Sequence, residues 1–195
     1  MTTRWRLSLA LLVVAVAGCR TAPAYFYTLD STATADGAPP VSYAVAVGPV
    51  TVPPLVDRPE FVVQDAPNRV AIEEFNRWGS PLNDNIARAV AGDLAVLLGT
   101  PRVMTGPLAP SLGPAYRVAI DVQRFESVPG ETAIVDAVWA VQKPTGRGTR
   151  SGRTIARETV SGIGFDALAA AHSRALAKVS ADIAAVIRAD ADRTR

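Results

Sequence analysis

The chain has 195 residues, 49% of them hydrophobic and 19% charged, with Lys+Arg 20 against Asp+Glu 18. That composition excludes a disordered chain and supplies one domain with a sizeable core. A single Cys and a single His exclude an internal disulfide and a Cys/His zinc site, and leave few ways to set a nucleophile beside an imidazole.

At the amino end, Arg4 and Arg6 precede an apolar run from Leu7 to Ala17. The run is too short to span a bilayer core of about 30 Å as a helix of the mature protein, and with its basic flank it predicts a signal peptide over residues 1–18. Val16-Ala17-Gly18-Cys19 resembles a bacterial lipobox. The resemblance implies cleavage between Gly18 and Cys19, with diacylglycerol on the Cys19 thiol and an acyl chain such as palmitate on its amine. At about 0.8 kcal/mol per buried methylene, two or three chains anchor the protein to a membrane essentially permanently. Arg20 follows the Cys where an Asp typically retains such proteins at the inner membrane, so the expected address is the periplasmic face of the outer membrane. Loss of Arg4 and Arg6 with the signal leaves 18 basic against 18 acidic side chains, and the excess that would suggest a nucleic-acid partner disappears.

In the mature chain a short tether leads to Tyr25-Phe26-Tyr27, which fits either a first strand or a residence at the membrane interface. Residues 31–40 are small, polar and end in Pro39-Pro40, which predicts a loop. Val45, Val47, Val50 and Val52 alternate around Gly48-Pro49, the pattern of an edge strand with a bulge or kink. Residues 53–59 then form a rigid turn. Glu60–Gln64 and Arg69–Phe75 predict a hairpin across 65–68. Ser80-Pro81 predicts an N-cap and first helical position, and Leu82, Ile86, Val90, Leu94 and Leu97 give a helical stripe that ends at Gly99. Residues 102–105 predict a short strand and 106–114 a connection. Tyr116, Val118, Ile120 and Val122 alternate with polar residues, and Val135, Ala137, Trp139 and Val141 predict an antiparallel neighbour. A polar loop is expected over 143–153, a third strand over 154–162 and a final helix over 166–189. The expected fold is α+β, a single domain with a mixed, largely antiparallel sheet and two helices packed on one face.

No residue pattern nominates an enzyme. His172 reads as a structural histidine, partly exposed or capped, because acid-base partners are missing from its neighbourhood. Ser173 and Ser180 lack a nucleophile-elbow context. Glu73 and Glu74 are adjacent on a strand and so point to opposite faces, and Asp57-Arg58 in a Pro-flanked turn reads as fold-stabilising. Gly146–Arg153 lacks the Gly-Lys-Ser/Thr ending of a phosphate loop and has no aromatics for base stacking, which leaves a solvated hairpin tip. Its sharper alternative is contact of Arg147, Arg150 and Arg153 with anionic lipid headgroups or an acidic partner. Leu55, Val56, Phe61 and Val63 are candidate partner-facing apolar positions, on the expectation that 61–63 lie on an exposed edge strand. Phe75 and Trp78 read as packing residues.

Taken in order, the lipobox, the Tyr25–Leu29 strand, Val45–Pro53 with Leu55–Pro59, Phe75–Leu82, the Val118–Phe125 strand, the Ala137-Val138-Trp139 strand and the Ala-rich last helix resemble the ABC-type transport auxiliary lipoproteins, the PqiC-like lipoproteins of Mce-type transport systems. Gly79 departs from the small or acidic residue expected after the Trp only slightly. The resemblance implies a division into a signal peptide at 1–18, an acylated tether and first strand at 19–40, the auxiliary-lipoprotein domain at 41–190 and a polar tail at 191–195. It also implies a non-enzymatic part of an envelope lipid-transport machine with no cofactor beyond the Cys19 lipid. The implied partners are an Mce-domain protein, a permease and further copies of the chain in a ring.

Overall fold

A computed structural model describes residues 22–106, 115–143 and 148–192; the signal segment with Gly18 and Cys19, most of the 106–114 connection, Arg147 and the last three residues lie outside the described residues. In chain order the elements are β1 (Tyr25–Tyr27), β2 (Ala44–Thr51), β3 (Glu60–Ala66), β4 (Arg69–Trp78), α1 (Leu82–Leu98), β5 (Val103–Thr105), β6 (Ala115–Val128), β7 (Thr132–Gln142), β8 (Thr149–Thr159) and α2 (Gly164–Asp192). Among the described residues no helix is long and apolar enough to cross a membrane.

The fold is α+β, as the residue pattern predicts, but its strands form two sheets rather than one. Five strands are ordered β5-β2-β6-β7-β8 and three are ordered β1-β4-β3. In the larger sheet β2 runs parallel to β5 and β6, and β6, β7 and β8 are antiparallel. Val47 pairs with Val118, Val118 with Val141, Ile120 with Trp139 and Val122 with Ala137. Register partners share a face, so these side chains form one apolar floor, and all of them are buried. Both helices cover that floor. Leu82, Ile86, Val90 and Leu94 of α1 and Leu168, Leu176, Val179, Ile183 and Ile187 of α2 are each 1% exposed or less. Full burial of such a side chain is worth about 1.5–3 kcal/mol, and this seam is the main source of the domain's stability.

β2 is an internal strand for half its length and an edge for the rest, because β5 pairs only with Val45–Val47. Pro49 lies just past the end of β5, where no ladder partner requires its missing N–H, and the β2–β6 register shifts between Val47 and Val50. The start of α1 differs from the expectation. Pro81 has an extended backbone (ψ 136°) and occupies the N-cap with no side-chain capping bond, while Ser80 Oγ accepts from Arg88 at 2.6 Å. The other end agrees with it: Gly99 takes the left-handed conformation (φ 62°) and its N–H reaches Val96 O.

The smaller sheet is an aromatic wedge against the end of this core. Phe61 is fully buried, stacks on Trp78 at 4.0 Å and meets Tyr27 and Phe165 edge-on at 5.4 and 5.2 Å. β4 continues to Trp78, past the predicted end at Phe75, because Trp78 is needed in that cluster and β1 pairs with residues 76–78. β8 likewise begins at Thr149, inside the predicted loop.

Candidate functional site

The one histidine is fully buried, against the expectation of partial exposure. It lies on α2 with its ring stacked on Phe125 at 3.8 Å and 8°, and its Nε2 shares a 2.8 Å hydrogen bond with Ser127 Oγ. Burial pulls its pKa down to about 3, so the ring is neutral and packed away from any substrate. Ser173 donates to Ala169 O, and Ser180 shares its one proton between Leu176 O at 2.9 Å and Asp93 Oδ2 at 3.0 Å. None of the candidate acid-base groups are brought together: Glu73 is half-buried, and Glu74 and Asp57 are exposed.

The apolar partner candidates divide. Phe61, Val63 and Val56 are 0%, 4% and 7% exposed and belong to the core, so they cannot present a docking surface; only Leu55 stands out, at 50%. β3 is an edge strand, as expected, but its apolar side chains turn inward to the aromatic cluster. The basic segment is partly matched inside the fold. Arg153 makes two hydrogen bonds of 2.8 and 2.7 Å to Asp136, which is 1% exposed, and the guanidinium holds that carboxyl below its usual range. Lys143 pairs with Asp190 at 2.6 Å, and Arg150 is exposed near the same carboxylate. Burial would raise Asp190, but Lys143 and the Tyr116 hydroxyl outweigh it and the net shift is downward.

Three buried carboxylates were not marked by any sequence pattern, and each ties distant segments. Asp93, on α1, accepts at Oδ1 from Ser31 Oγ, Thr32 N and Ala33 N at 2.9–3.0 Å. The predicted loop at 31–40 is thus irregular but latched to the helix layer at its start. Gly92 permits this: a Cβ there would stand 2.8 Å from Ser31 Cβ. Asp136 and Asp190 fasten β8 and α2 to the β6–β7 region in the same way. An Asp inside the apolar stripe of α1, preceded by Gly, is the signal that would have found the first.

Two regions of the exposed surface are notably apolar. Across the uncovered face of the large sheet lies an open groove of about 860 Å³, with Ala46, Ala119 and Ala140 as its floor and Arg117, Gln142 and Thr149 among its lining. At the end where the tether enters, Tyr25 and Phe26 are 56% and 66% exposed, while Tyr27 packs inward. The aromatic triplet is therefore a strand and a surface feature at once.

Comparison with known proteins places this fold. The family described as the ABC-type transport auxiliary lipoprotein component matches residues 27–184, well over half of the chain. Protein XCC0632 from Xanthomonas campestris, assigned to family DUF330, is similar in structure with a TM-score of 0.67, 21% identity and coverage of 88% of this chain and 100% of that one. A crystal structure of an uncharacterized protein gives 0.65, 20% identity and coverage of 80% and 99%. No curated protein sequence matches. The matched span takes in the aromatic cluster of Tyr27, Phe61, Trp78 and Phe165, all of α1 and most of α2, and the chain belongs to the family of ABC-type transport auxiliary lipoprotein components.

Proposed function

We propose that the chain is a non-catalytic docking component of an Mce- and ABC-type intermembrane lipid transport system, held on the periplasmic face of the outer membrane by acyl chains on Cys19. The observation that carries this reading is the family match over residues 27–184. Three features support it. The lipobox at residues 16–19 supplies the anchor, and Arg20 in place of Asp favours the outer membrane. His172 and the buried carboxylates are engaged in holding the fold, which suits a binding part better than a hydrolase. Self-association and reception of an Mce-domain conduit complete the proposal, with a permease in the opposite membrane.

The test is chemical crosslinking in intact envelopes followed by affinity capture of the full acylated protein and identification of what is bound. Capture of an Mce-domain protein or its permease is expected. If neither is captured, and no gene for either lies beside this one, the transport role is overturned in favour of a structural envelope lipoprotein.

A further inference from the structure

The end of the domain that receives the tether carries apolar side chains that folding leaves in water, among them Phe75 of β4, which adjoins Asn76, the partner of Tyr25. Tyr25 and Phe26 stand on β1, and Ile163 is 96% exposed on the turn before α2. Gly162 and Gly164 flank Ile163, both at positive φ (121° and 83°), so the turn holds a large aliphatic side chain out on a short backbone projection. The two elements meet: Tyr27 packs on Phe165 at 5.9 Å, which puts Phe26 and Ile163 each within two residues of one contact. A fully exposed Ile between glycines gains nothing for the fold.

Chain length says what lies opposite. Six peptide units separate Cys19 from Tyr25, and at about 3.3–3.6 Å per residue they span at most roughly 20 Å. An acylated Cys19 therefore keeps this end of the domain at the bilayer surface. The charges nearby are balanced or acidic: Arg77 faces Glu60 at 3.6 Å, Arg174 and Lys178 both pair with Glu158, and Asp166 is exposed beside Tyr27. The surface thus suits apolar insertion and not capture of anionic headgroups.

We propose that Phe26 and Ile163, with the β1 end that carries Tyr25, dip into the leaflet that holds the Cys19 acyl chains, so that the domain has a fixed orientation on the membrane. The inference rests on the lipid-anchor reading. It places the amino end of α2 at the bilayer, with the far end of that 29-residue helix, roughly 40 Å along its axis, toward the opposite side of the domain.

Because the single Cys is the acylated one, Phe26→Cys, Ile163→Cys or Val96→Cys each adds the one free thiol for a bimane label. Val96 is the control: it is 39% exposed on α1 next to Leu97, whose carbonyl meets Arg188 near the far end of α2. Full-length acylated protein is reconstituted in phosphatidylcholine vesicles with and without phosphatidylglycerol, and mass spectrometry of the Cys19 peptide is run on the same sample. At positions 26 and 163 a blue-shifted emission and several-fold weaker quenching by aqueous iodide than at 96 are expected, equal in both vesicles. Acylated protein whose labels quench as fully as at 96 overturns the inference and leaves the anchor standing. Protection that requires phosphatidylglycerol overturns it in favour of the basic segment. An unacylated Cys19 peptide overturns the anchor and this inference with it.

Discussion

His172 is held neutral by its surroundings, and the sign of its effect on stability follows from that. Its ordinary value of 6.5 applies to the unfolded chain, and burial lowers it to about 3 in the fold. The unfolded chain binds the proton more readily between those values, so the stability contributed by the neutral ring is complete above pH 6.5 and is lost progressively as pH falls toward 3. At pH 5, above the range of most carboxylates, the loss is about 2 kcal/mol. Urea unfolding at pH 7 and pH 5 measures it. His172→Phe is expected to be less stable at pH 7 by about 1–3 kcal/mol, since Ser127 loses its partner, yet to show little further loss at pH 5. A variant that keeps the wild-type fall would show that other groups cause it.

The same scale explains one thing the residue pattern hid. Gly152 reads as a loop residue in a run of Gly, Arg and Thr, but it lies inside β8 under the ring of Trp139, where an added Cβ would stand 2.4 Å from the ring edge. Trp139 Nε1 donates to Thr154 Oγ1, which in turn donates to Asp182 on α2. A glycine that makes room for an aromatic neighbour is indistinguishable from a turn glycine until the register is known.

At the scale of elements, the latch between α1 and residues 31–33 gives a test with a change of sign. Gly92→Ala favours the helix by about 1 kcal/mol in isolation. Its methyl meets Ser31 at 2.8 Å, and Ser31 is held in place by Asp93, so the net effect in the wild-type background is a lower melting temperature. In an Asp93→Ala background, already weakened by about 3 kcal/mol, Ser31 is released and the same Gly92→Ala change becomes neutral or stabilising. A thermal-melt double-mutant cycle reads the reversal; additive losses would mean that the latch does not position Ser31. Elements with strong periodicity were legible before the structure. The α1 and α2 stripes, the β3–β4 hairpin and the Tyr116–Val122 strand all follow from spacing alone, because a single buried face dictates them. The split into two sheets was not legible, since it depends on which strand each edge accepts. The inward turn of Phe61 and Val63 was missed for the same reason: β3 is at an edge, but its apolar side closes on Tyr27, Trp78 and Phe165, which come from three separate elements. Of the candidate site, Gly18, Cys19 and Arg147 lie outside the described residues; of the others Leu55 and Arg150 stay exposed, while Val56, Phe61 and Val63 join the core and Arg153 pairs with Asp136.

For the whole molecule, the closing of α2 onto the sheet sets an alkaline limit. Burial and the neighbouring Asp190 push the Tyr116 hydroxyl up to about 12 from 10.0, and it donates to Asp190 at 3.2 Å. A raised phenol contributes stability that is complete below pH 10 and is lost as pH rises toward 12. Ultraviolet titration is expected to show a tyrosine ionisation near pH 12 that coincides with loss of helical circular dichroism, apart from the delay that burial and Asp166 give Tyr27. Tyr116→Phe should remove that late step, and its persistence would assign it elsewhere. At the acid side Asp136, Asp190 and Glu158 all sit below their ordinary values, so their pairs survive until the pH falls beneath the usual carboxylate range.

The latch at Asp93 also has a mechanical meaning. On the proposed lipid-anchored reading, load on the domain would enter at the amino end, through a first strand of only three residues. Three donors from consecutive residues 31, 32 and 33 converge on one carboxylate oxygen, so the segment after β1 is held at a single point of α1. Such a pull would pass beyond β1 into α1 and, through Ser180 on the other oxygen of Asp93, into α2.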